Sequence, residues 1–118
     1  GKKLPLHNNG KHIRDFTYID DVVKGIYLAM NKVPKGKKIS RIYNLGNNKE
    51  VNLKYFVSLI EKFSRKTANI ENLPMQKGDI YRTKADISLA KKDLGYRPST
   101  KIERGVKNFV DWYKTYYC

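Results

Sequence analysis

Arg14-Asp15-Phe16-Thr17-Tyr18-Ile19-Asp20-Asp21-Val22-Val23-Lys24-Gly25 is the stretch on which the reading of this chain turns. Residues 13–19 are rich in β-branched and aromatic side chains and read as extended backbone. A helix follows, with Asp20 placed to cap it and Asp21 to complement its dipole. Val22, Val23, Ile26, Tyr27 and Met30 fall on one helical stripe, expected to be core, and the helix stops before Pro34.

Strand-like and helix-like segments alternate on both sides of this stretch. Residues 3–7 read as a strand closed by the Asn8-Asn9-Gly10 turn. After a basic loop at 35–38, residues 39–45 read as a strand; Asn44 is expected to satisfy backbone groups there and Gly46 to supply a positive-φ turn. Asn52 caps a second helix with Leu53, Phe56, Val57, Ile60 and Phe63 on its apolar face. A weak strand over 68–73 precedes Pro74, and a short helix from Asp86, carrying Leu89 and Leu94, ends at Gly95.

Thr100-Lys101-Ile102-Glu103 has the spacing of a capping box. It opens a last helix with Ile102, Val106, Phe109, Val110 and Tyr113 on one face. Trp112, Tyr113, Tyr116 and Tyr117 are expected in core and interdomain packing. The fold class is therefore α/β, a small unit of about three short strands and four helices.

At 118 residues the chain holds one domain at most, 1–118. Lys+Arg 25 against Asp+Glu 11 gives a formal charge of +14, a field that attracts phosphorylated ligands and polyanions. The lysines are scattered among acids without a dense basic arm or an RNA-recognition signature, so nucleic acid is not the expected partner. Cys118 is the single cysteine, which excludes an internal disulfide and a cysteine metal cluster. His7 and His12 are too few for a zinc site, so no metal ligand is assigned. No apolar run approaches the roughly 20 residues that span a bilayer, and the expected compartment is the cytoplasm. A chain that begins Gly1-Lys2-Lys3 reads as part of a longer parent.

The usual machinery of catalysis is missing. No Gly-x-Gly pair exists, so no dinucleotide fingerprint forms. Gly36-Lys37 lacks the rest of a phosphate-binding loop, no tyrosine is followed four residues later by lysine, and no serine has a Gly-x-Ser-x-Gly setting. No catalytic residue is assigned.

Five blocks occur in one order: Arg14 to Asp21, Tyr43-Asn44-Leu45-Gly46-Asn47, Gln76-Lys77-Gly78-Asp79, Leu94-Gly95-Tyr96-x-Pro98, and Phe109-Val110-x-Trp112-Tyr113. Together they resemble the C-terminal, substrate-binding region of extended short-chain dehydrogenase/reductase enzymes acting on nucleotide sugars, in particular UDP-glucuronate 4-epimerases. The resemblance implies an NAD-dependent, homodimeric parent in which an absent N-terminal Rossmann domain binds NAD and supplies a Tyr-x-x-x-Lys pair. It implies oxidation at C4, turning of the 4-keto sugar and re-reduction on the other face. This chain would bind no NAD itself and would be inactive alone.

By the same resemblance Arg14 contacts the UDP diphosphate, a role suited to a planar, permanently charged fork. Asp79 accepts from ribose hydroxyls, and Gln76 assists at the phosphate where related epimerases carry an arginine. Tyr18, just before the Asp20-Asp21 pair, is read from its position as either lining the substrate side or packing in the core. A nucleotide-sugar 4,6-dehydratase and an epimerase of UDP-glucose or UDP-N-acetylglucosamine share the pattern. From another class, the charge alone supports a basic module for RNA or other polyanions.

Overall fold

A computed structural model describes residues 2–35 and 40–117. Residues 36–39, which include most of the expected basic loop and the start of the expected strand, and Cys118 lie outside the described residues. The secondary structure comprises strands β1 (Leu4–Leu6), β2 (Ile13–Arg14), β3 (Val51–Asn52) and β4 (Ile70–Asn72). The helices are α1 (Ile19–Met30), α2 (Leu53–Ser64), α3 (Ser88–Leu94) and α4 (Ile102–Tyr117). The chain divides into two compact units. The first comprises Gly1–Arg14, Glu50–Thr83 and Lys101–Cys118; the second comprises Asp15–Lys49 and Lys84–Thr100.

The first unit contains all four strands, in two ladders of two. β1 runs parallel to β4, with Leu4 opposite Ile70, and the chain leaves β1 through a single 3-10 turn. In that turn Asn8 and Asn9 have φ of 51° and 49°, the left-handed region that asparagine tolerates. β2 is antiparallel to β3, with Arg14 opposite Val51. Asn52 caps α2 as expected, its side chain accepting from Lys54 N at 2.9 Å. α2 and α4 bury Leu59, Val106 and Val110 between them, flanked by Phe56, Ile60, Phe63 and Ile102. Leu59, absent from the expected stripe, is among the most buried residues of this unit at 4% exposure.

The second unit is built on α1 and α3, around Ile87, Ala90, Leu94 and Tyr96. Tyr96 is 1% exposed and donates its hydroxyl to the Gly46 carbonyl at 3.0 Å. Burial, helped by the charges of Asp21 and Asp15, pushes this phenol above its ordinary pKa and keeps it a donor. α3 ends at Gly95, whose φ of 70° closes the helix as expected.

Several expectations are corrected. Asp20 does not cap α1: Tyr18 holds that position, and no side chain makes the capping bond. Asp21 is instead buried and accepts from Ser99 N and Thr100 N. The α1 stripe is not core, since Val23, Ile26, Tyr27 and Met30 are 49–75% exposed. Helical periodicity shows which face is apolar but not whether anything packs on it. In α4, Trp112, Tyr113, Tyr116 and Tyr117 are likewise about half exposed or more and stack on one another, Trp112 on Tyr116 at 5.7 Å.

Residues 40–45 form no strand among the described residues. Their composition favours extended backbone, but a strand also needs a neighbour to complete its ladder. Gly46 has no positive φ; Asn48 does, at 55°. Gly46 is needed for space: a Cβ there would stand 2.3 Å from Ala85 Cβ. Asn44 does satisfy backbone, donating Nδ2 to Asp86 O at 3.2 Å.

Candidate functional site

The site of the first unit is assembled on β2. One edge of this strand pairs with β3. The other takes Tyr81, Arg82 and Thr83: Ile13 N donates to Tyr81 O at 3.0 Å, and Thr83 N to Ile13 O at 3.1 Å. His12, just before the strand, and Arg14, within it, both direct their side chains to Asp79. Just before Tyr81 the chain turns over Gln76–Asp79, where Asp79 N donates to Gln76 O at 3.2 Å. That turn brings the Asp79 carboxylate back to β2.

The Asp79 carboxylate lies between two cationic or potentially cationic groups. Arg14 Nη2 donates to Oδ1 at 3.2 Å, and His12 Nε2 stands 2.9 Å from Oδ2. His12 is 3% exposed, and its Nε2 lies within ion-pair range but off the line of a hydrogen bond. Arg14 Nη1 donates to the carbonyls of Ile13 at 3.0 Å and Tyr81 at 3.2 Å. The guanidinium is thus aimed by backbone on one side and by a carboxylate on the other. It keeps about a quarter of its surface in solvent (27%). On the neighbouring residues, Arg82 binds Glu50 through Nε and Nη2, Nη2 to Oε2 at 2.6 Å, and this pairing raises the Arg82 pKa.

Of the expected site residues, Arg14 and Asp79 meet although 65 positions separate them. Gln76 is exposed on the same turn and contributes its backbone carbonyl. Tyr18 is placed in the second unit, half-buried at the head of α1. His12 is the residue that sequence reasoning missed. It was weighed only as a metal ligand, whereas its position two residues before Arg14 was the available signal. Among the described residues no cluster of three His, Cys, Asp or Glu is placed to hold a metal ion.

The family model described as GDP-mannose 4,6 dehydratase matches residues 1–109. The chain belongs to that family. Among similar proteins, an uncharacterized protein of Methanocaldococcus jannaschii is 49% identical over 113 residues, covering 96% of this chain and 33% of its own. UDP-glucuronate 4-epimerase 5 of Arabidopsis thaliana is 41% identical over 120 residues, covering 93% of this chain and 28% of its own. The fold matches the crystal structure of UDP-glucuronic acid 4-epimerase from Bacillus cereus in complex with UDP-glucuronic acid and NAD. The TM-score is 0.84 at 33% identity, over 98% of this chain and 36% of that one. The chain therefore spans about a third of the length of the curated relatives it matches.

The B. cereus enzyme holds NAD, and the residues described here do not fit that group. A dinucleotide cradle needs a glycine-rich turn from a strand into a helix. α1 is entered through Phe16, Thr17 and Tyr18, and α2 through Asn52, with no glycine in either turn. No helix among the described residues is long and apolar enough to cross a membrane.

Proposed function

We propose that this chain is the nucleotide-sugar-gripping portion of an NAD-dependent nucleotide-sugar 4-epimerase of the UDP-glucuronate type. The observation that carries the reading is the convergence of Arg14 and Asp79 at 3.2 Å from distant parts of the chain. The identities to UDP-glucuronate 4-epimerases support the same choice. Arg14 presents to the diphosphate the Nε and Nη2 hydrogens not already given to Ile13, Tyr81 and Asp79, and Asp79 accepts from the ribose hydroxyls. Gln76, on the exposed turn, donates an uncharged amide to a phosphate oxygen. No redox or proton-transfer step is assigned to these residues, and NAD belongs to residues beyond this chain. On this reading the intact enzyme is a cytoplasmic homodimer, and its polyanionic partner is the sugar nucleotide rather than RNA.

Titration of UDP into the 118-residue chain and its Arg14→Ala variant, at two salt concentrations, tests the assignment. The variant is expected to bind at least tenfold more weakly, about 1.4 kcal/mol, with a smaller dependence on salt. Equal affinities remove Arg14 from the site. The family description favours one second reading, a 4,6-dehydratase portion. A preference for GDP-mannose over UDP-glucuronate in a competition assay would select it.

A further inference from the structure

The second unit contains a cavity of about 470 Å³ bordered by Asn47, Asn48, Lys49, Lys91, Arg97 and Pro98. Of its seven lining residues, Ile87 included, three are cations and none is an acid. Among the described residues, the side chains of Lys49, Lys91 and Arg97 enter no ion pair, while most of the unit's acids are already committed. Asp15 accepts from the amides of Asn47 at 3.1 Å, Asn48 at 2.9 Å and Ala85 at 2.9 Å. Asp21 accepts from Ser99 and Thr100, Asp86 from Ser88, and Asp93 pairs with Arg41.

One residue on the border of the cavity also has an unmet polar group. Asn47 is 6% exposed, and its Oδ1 is buried with no hydrogen-bond partner. A carboxamide can present either its oxygen or its nitrogen by a half-turn. The loop carrying it is held still by the Asp15 carboxylate and by Asn48 in the left-handed region at φ 55°. A fixed amide beside three uncompensated cations is a combination that a diffuse basic surface does not supply.

We propose that this cavity is a binding site for a phosphate group. Arg97 offers a planar fork, Lys49 and Lys91 act as point charges, and Asn47 provides a neutral hydrogen-bonding partner. The volume falls within the range of small-molecule sites and leaves room for more than the phosphate itself. The site does not rest on the roles proposed for Arg14 and Asp79.

The test uses the 118-residue chain carrying Arg14→Ala, so that any anion bound through that residue does not contribute. Orthophosphate and ribose 5-phosphate are titrated while amide chemical shifts are followed. Saturable shifts at Asn47, Asn48, Lys49 and Arg97, including the Asn47 side-chain amide, are expected. Lys91→Gln/Arg97→Gln should weaken binding at least tenfold and leave the melting temperature unchanged, since both residues are exposed. Lys2→Gln/Lys11→Gln removes the same charge from exposed positions of the first unit and should weaken it little. An equal loss in the two double variants assigns the effect to net charge and overturns the proposal, as do shifts that sodium chloride reproduces at matched ionic strength. Tighter binding of ribose 5-phosphate assigns the cavity to a phosphorylated metabolite and tighter orthophosphate to the free ion; both support it.

Discussion

Asp21 is ionised in a place where burial alone would favour the neutral acid. Burial is the largest influence on it and works against the charge, but the amides of Ser99 and Thr100, the Thr100 hydroxyl and Lys24 together outweigh it and hold the pKa below 3.8. A carboxylate whose pKa falls on folding adds stability above its unfolded value and loses it as pH drops through the folded one. The melting temperature should therefore fall as pH is lowered below 3.8, and the fall should be shallower in Asp21→Asn. Asp86 is lowered in the same direction by the hydroxyl and amide of Ser88 and should preserve part of the acid limb in that variant. Gly46 makes a steric prediction. Gly46→Ala should cost about 1–3 kcal/mol by overpacking, measured by denaturant unfolding, and Ala85→Gly in the same chain should recover most of it. A variant as stable as the parent would show that the Gly46–Ala85 approach relaxes freely.

Elements differ in how much of their sequence stripe they use. α2 and α4 bury theirs against each other, so Leu59→Ala should lose about 2–5 kcal/mol. Met30, at the end of the α1 stripe, is 75% exposed, and Met30→Ala should stay within about 0.5 kcal/mol. Parallel unfolding curves for the two variants check this contrast, and equal losses would contradict the burial pattern. Much of the element order was legible. Asn52, Gly95 and the Asn8-Asn9-Gly10 turn act through local hydrogen bonds and backbone preferences that each residue carries with it. The exposure of Val23 and Ile26 and the failure of residues 40–45 to form a strand were not legible, because both depend on a neighbour and not on the segment's own sequence. The site divides the same way. Residue type and family resemblance singled out Arg14 and Asp79 as candidates. Their 3.2 Å meeting and the burial of His12 beside them come from the turn at 76–79.

For the whole molecule, the charge of +14 makes a prediction that separates attraction from recognition. Any RNA binding should be electrostatic and fall by orders of magnitude as salt rises from about 50 to 200 mM. UDP binding, which involves far fewer charges, should decline only modestly over that range, with fluorescence anisotropy as the measure. RNA affinity that persists at high salt, with no response to UDP, would return the polyanion-binding module to first place. One further consequence lies in the chain path. The polypeptide passes from one unit to the other at 14/15, 49/50, 83/84 and 100/101, the first of these within the Arg14-Asp15 pair itself. Neither unit is a contiguous stretch of gene. A recombination event, a split reading frame or a protease nick cannot deliver one of them intact while discarding the other, so the pair is inherited and lost together.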